Sequence, residues 1–150
     1  MNSHYQFIAF TLLLFFLNAN DTFAADIQEC EAYKEKAVGL KCDENHYLYQ
    51  FGYHYCRLFV EDESVFSKEG AIILQDIRTC LISEMNSDNE MSCENAKSRA
   101  SDHHVKCYIE KNFCDLPFFD KISVYNRIYK ELEDPQFKEA YDKIKAACER

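Results

Sequence analysis

Eight cysteines, five histidines and scattered carboxylates are the residues of this 150-residue chain best suited to chemistry. The cysteines stand at Cys30, Cys42, Cys56, Cys80, Cys93, Cys107, Cys114 and Cys148. No two of them form the close Cys-x-x-Cys pair that marks a zinc site. An even count of this density in an exported chain reads as a framework of four disulfides. With all eight committed to bridges, no thiol nucleophile remains.

The densest polar cluster is Asp102-His103-His104, with Glu110 and Asp120 further along the chain. Neighbouring residues on a helix point about 100° apart, so two adjacent imidazoles do not converge on one metal ion. His46 and His54 fall slightly more than two helical turns apart and make an equally poor ligand pair. The chain also lacks a His-Glu-x-x-His zinc motif, a Gly-x-Ser-x-Gly nucleophile elbow and a phosphate-cradling glycine loop. No catalytic residue, cofactor site or metal site is therefore expected, and the histidines read as packing and surface residues.

These side chains need elements to position them. Residues 7–17 (FIAFTLLLFFL) form an apolar run too short to span a bilayer and suited to the core of a signal peptide. Residues 1–25 are expected to be that leader, with a mature start at Ala25 or Asp26. The glycosylation triplet Asn20-Asp21-Thr22 would be lost with it. The remainder, about 125 residues, suits one modest domain. The whole chain has 17 basic and 26 acidic residues, and Asp21 is the only charged side chain before residue 26, so the mature formal charge is −8. Such a field disfavours nucleic acid and anionic lipid as partners. A soluble, secreted product without membrane insertion is expected.

Three glycines and two prolines leave little material for hairpins, and apolar residues recur at three and four. The spacing predicts a first helix over residues 27–38, stopped by Gly39. A second covers roughly 45–60, with Gly52 inside it as a notch for a close crossing. Ser67 is expected to cap a third helix with the stripe Ile73, Ile77, Cys80, Leu81 and Met85. Ser92 or Cys93 opens a fourth, whose inward Ala96 and Ala100 imply a tight neighbour. A fifth presents Phe118, Ile122, Tyr125, Tyr129 and Leu132, the cleanest amphipathic stripe in the chain, and nearly all the aromatics are expected in the core. Asp134-Pro135 begins a sixth with Phe137, Tyr141, Ile144 and Cys148 inward. The fold class is all-α, a compact disulfide-stapled array of five or six helices in a single domain, residues 26–150.

The stretch Phe51-Gly52-Tyr53-His54-Tyr55-Cys56-Arg57-Leu58-Phe59, followed by Phe66, Gly70, Cys80-Leu81, Cys93, His104, Cys107-Tyr108 and Phe113-Cys114, resembles a large nematode family. Its members are small secreted eight-cysteine domains grouped as domain of unknown function nineteen. The resemblance implies a nematode source and roles in responses to infection or stress. The segments from Cys56 to Cys80 and from Cys93 to Cys114 are more distantly similar to stanniocalcin, a secreted glycoprotein hormone. That likeness implies the pairs Cys30 with Cys56, Cys42 with Cys93, Cys80 with Cys107 and Cys114 with Cys148. No cysteine is left for the hormone's covalent dimer, so a monomer is expected.

A non-enzymatic extracellular binding or signalling protein, contacting an extracellular or cell-surface protein, is the resulting expectation. An infection- or stress-related effector and a carrier of a small apolar ligand are the alternatives. The aromatics decide between surfaces: exposed together they make a protein contact, and around a cavity they hold an apolar molecule.

Overall fold

A computed structural model describes residues 26–150, and the expected leader lies outside them. Six helices account for most of the described chain: α1 (26–40), α2 (His54–Glu61, entered through a wider π-type segment, Leu48–Tyr53), α3 (Lys68–Ser87), α4 (Ala96–Glu110), α5 (Phe118–Ile128) and α6 (Pro135–Cys148). None of the described helices is long and apolar enough to cross a membrane.

The helix ends show local chemistry at work. The Ser67 hydroxyl accepts the Gly70 amide at 3.0 Å and caps α3. Asp134 accepts the Gln136 amide at 3.0 Å with Pro135 at the first helical position of α6. Before α4, the Ser92 amide donates to Asn95 Oδ1 at 2.7 Å and the Asn95 amide to Ser92 Oγ at 3.4 Å, a reciprocal cap. One expected stop differs. Helix α1 runs through Gly39 and ends at Lys41, whose φ of 62° is left-handed. The Cys42 amide then reaches the Ala37 carbonyl at 2.9 Å and the Lys41 amide reaches Val38 at 3.0 Å. This is a Schellman ending with lysine where glycine is favoured, so the tertiary structure, and not local propensity, sets that boundary.

Four disulfides join Cys30–Cys56, Cys42–Cys93, Cys80–Cys107 and Cys114–Cys148, and no described cysteine is free. These are the pairs implied by the stanniocalcin resemblance. They tie α1 to α2, the α1 exit to the α4 entry, α3 to α4, and the turn before α5 to the end of α6. Each ring restricts the unfolded chain by about 2–4 kcal/mol.

One buried cluster gathers Cys30, Tyr33, Ala37, Leu48, Cys56, Val60, Met85, Met91 and Ala96. Gly52 is its notch: a Cβ there would sit 2.5 Å from Tyr33 Cδ1. A second, smaller cluster centres on Phe66, Leu116 and Val124. Helices α4 and α6 pack extensively on one another, with Ala100 of α4 and Ala140 of α6 buried, while Ala96 joins the first cluster.

Helix α5 departs from the expected orientation. Its buried residues are Asp120 and Val124, while Phe118 (70% exposed), Phe119 (78%), Ile122, Tyr125 and Tyr129 face outward. The reason is Asp120, whose Oδ1 accepts the Ser67 amide at 3.1 Å and whose Oδ2 accepts the Ser67 hydroxyl at 2.5 Å. Arg127, on the same face, donates twice to Asp62 at 3.0 and 2.8 Å. Gly70 makes room for this arrangement, since a Cβ there would lie 2.1 Å from Asp120 Oδ2. Two polar anchors thus turn the aromatic stripe to solvent.

Candidate functional site

The polar residues singled out by sequence do not assemble into a reactive centre. His103 and His104 diverge as helical neighbours must. His103 Nε2 lies 3.2 Å from Asp88, which also accepts two hydrogen bonds from Arg99 at 2.7 and 2.9 Å. Burial holds His103 below its ordinary pKa although Asp88 pulls the other way, and the Arg99 hydrogen bonds hold Asp88 below the usual carboxylate value. The cluster ties the loop before α4 to that helix. His54 is exposed and packs edge-on to Tyr55. Glu110 is exposed, and Asp120 is committed to Ser67.

One group has the spacing of metal ligands: donor atoms of Cys42, His46 and Cys93 lie within 4.8 Å of one another. Both sulfurs, however, belong to one disulfide, and His46 Nε2 donates to the Cys93 carbonyl at 2.8 Å. A disulfide offers no thiolate, so this set does not fit a metal ion as the chain stands.

What the fold does assemble is a half-open cavity of about 220 Å³ lined mainly by α2 and its π-type entry, α4, α5 and α6. Each helix contributes for a local reason. Aromatics at positions 51, 55 and 59 recur every four residues along one face of α2 and its π-type entry. Phe51 stacks on Phe137 of α6 at 4.4 Å between ring centres and touches Tyr55 at 4.6 Å. Helix α6 is drawn against the turn before α5 by Cys114–Cys148, and its Ile144 and Ala140 close one side. Val124 and Ile128 of α5 close another, and Ser101, His104 and Tyr108 of α4 form the inner wall.

Most polar groups of this lining are already engaged. The Tyr55 hydroxyl donates to Glu131 at 2.7 Å, with burial and that carboxylate raising its pKa. Ser101 donates to the Lys97 carbonyl at 3.0 Å, and Lys121 to the Cys114 carbonyl at 2.5 Å. Tyr125, which is 46% exposed, and the exposed Lys145 stand at the rim. A second space of about 60 Å³ adjoins, sharing Phe51, Tyr55, Phe59, His104 and Tyr108 as a common wall. Residue patterning singled out the α2 aromatics. It left a cavity as an alternative and could not place it, because the wall comes from four helices whose mutual placement no local pattern encodes.

The arrangement suits a molecule more than a reaction. At about 220 Å³ the cavity lies between the ~150 Å³ that accepts a benzene-sized guest and the ~300 Å³ where drug-sized pockets begin. No family model matches the chain, and no curated protein or solved structure matches it.

Proposed function

We propose that this chain is a secreted, non-catalytic binding protein whose aromatic cavity takes up a small apolar ligand. The cavity is the observation that carries the reading. In a domain of about 125 residues, apolar side chains normally close against one another, because apolar surface left uncovered forfeits packing contacts. Here rigid aromatic rings on disulfide-tied helices hold the cavity open. The four bridges fit an extracellular life, and their agreement with the pairing implied by stanniocalcin supports kinship with such secreted domains. The acidic balance argues against nucleic acid and anionic membranes.

Native mass spectrometry of the secreted protein tests this. A bound mass of roughly 100–300 Da, released on denaturation, is the expected result for a guest of this size. A bare monomer that also fails to take up an added bicyclic aromatic contradicts the reading.

The outward face of α5 favours a second contact, with an extracellular protein. Phe118, Phe119, Ile122, Tyr125 and Tyr129 form an apolar stripe of the kind that makes interface anchors. Saturable binding to a cell-surface protein, abolished by Phe118→Ser with Phe119→Ser, is the expected behaviour. Undiminished binding by that variant removes the stripe from the interface.

A further inference from the structure

The inner wall of the cavity carries an acceptor that no described residue uses. His104 Nδ1 lies 2.7 Å from the Ala100 carbonyl, which only accepts, so Nδ1 holds the hydrogen and Nε2 holds the lone pair. Burial pushes the imidazole pKa below 6.5, outweighing the carbonyl's opposite pull, so the ring is neutral at physiological pH. Among the described residues no group hydrogen-bonds Nε2. The ring lines both the 220 Å³ and the 60 Å³ spaces, which puts this nitrogen's ring on their common wall. One helical turn on, Tyr108 lines the same wall with its hydroxyl unpaired among the described residues. Burial pushes that phenol up to about 12, so it keeps its proton.

The charged groups around the two spaces each face a partner, closely at Lys121 and Glu131 and more loosely at Lys145 and Arg78. Lys121 holds the Cys114 carbonyl, Lys145 sits at the rim 3.9 Å from Glu149, and Glu131 accepts from Tyr55. Arg78, which lines the smaller space, faces Asp26 at 3.1 Å and Glu29 at 3.6 Å. A ligand carboxylate would have to compete with the oxygens that Lys121 and Arg78 already face, or stay at the rim beside the exposed Lys145. An ammonium ligand would have to shed its water in an apolar chamber without a carboxylate of its own. A hydrocarbon or an ether brings no hydrogen for Nε2.

We infer that the ligand is a neutral apolar alcohol or phenol whose O–H donates to Nε2 of His104, an inference that rests on the cavity reading above. The ring or chain of the ligand fills the aromatic chamber, and its hydroxyl satisfies the imidazole nitrogen left unpaired on the cavity wall. Specificity comes from this bond, because a site built to pair a hydroxyl discriminates against the analogue lacking it more strongly than an apolar wall discriminates by size.

The test compares 2-naphthol, 2-methoxynaphthalene and naphthalene, titrated into the full disulfide-bonded protein and followed by the probes' own fluorescence. The chain has no tryptophan to interfere. The expected result is 2-naphthol binding about tenfold tighter than its methyl ether, the advantage of one neutral hydrogen bond in an enclosed site. His104→Phe should erase that advantage while leaving the ether's affinity within about threefold. Tyr108→Phe, which keeps the ring, supplies an independent variant: 2-naphthol should retain most of its advantage there, since His104 remains. Equal affinities of naphthol and ether for the wild-type protein, with both bound, overturn the hydroxyl assignment and leave the cavity reading standing. An equal loss of both probes in His104→Phe, with Tyr108→Phe binding normally, also overturns it. Failure of all three probes to bind overturns the cavity reading and this inference with it.

Discussion

Phe51, at the entry to α2, packs its ring against Tyr47, Tyr55 and Phe137 of α6, whereas Phe118, Phe119, Tyr125 and Tyr129 of α5 turn to solvent. Both sets recur at helical spacing and both are rich in large rings. The difference lies in what anchors each helix. Helix α2 is fixed on the face adjoining its aromatics, by Cys30–Cys56 and by Gly52 fitting against Tyr33. Helix α5 is fixed on its opposite side, by Asp120 under the cap of α3 and by Arg127 on Asp62. An amphipathic stripe thus marks a face able to be buried, and a few specific anchors decide whether it is. Between the two helices lies the cavity, closed by one set of rings and rimmed by a member of the other.

The contrast is broken most directly at its polar anchor. Asp120→Ala removes two hydrogen bonds to a charged acceptor and should destabilise the protein by about 3 kcal/mol, read from urea unfolding under oxidising conditions. A change below about 0.5 kcal/mol would mean that α5 is held some other way. Gly52→Ala comes next, because its Cβ would press into the Tyr33 ring. About 1–3 kcal/mol of overpacking is expected in thermal melts, and an unaffected melting temperature contradicts the notch.

How much of this was legible in the residues follows from which contacts are local. The caps at Ser67 and Asp134-Pro135 are set within three residues of themselves and could be read directly. Gly52 and the paired small residues of α4 announced close approaches, though not their partners. The cysteine pairing came from family resemblance, since spacing alone leaves it open. The facing of α5 was not legible, because its deciding contact spans 53 residues and uses a buried carboxylate where an apolar pattern points the other way. Nor does anything in lysine's own preferences mark Lys41 as the residue that ends α1.

Smaller effects sharpen the same comparison. Acidification from pH 7.5 to 5 should lower stability. The unfolded His104 takes up a proton as pH falls through about 6.5, while burial keeps the folded one neutral, so the unfolded state binds more protons there. His104→Phe should flatten that slope in melts across the pH range, and an unchanged slope would place the titrating group elsewhere. The smallest effect belongs to α5's outer face. Phe118→Ser with Phe119→Ser should shift stability by no more than about 0.5 kcal/mol, because those rings contribute little to the core. A loss of several kcal/mol would show them packed inward.

Tyrosine nitration by tetranitromethane, mapped by peptide mass spectrometry, tests the division of the aromatics in one measurement. Accessible phenols react first, so Tyr125 and Tyr129, 46% and 49% exposed, should be modified well before Tyr33, which is 8% exposed and whose pKa burial raises. Tyr47 and Tyr108, raised by burial in the same way, should lag with it. Early nitration of Tyr33 or Tyr47 with Tyr125 and Tyr129 protected would invert the two helices and contradict the account.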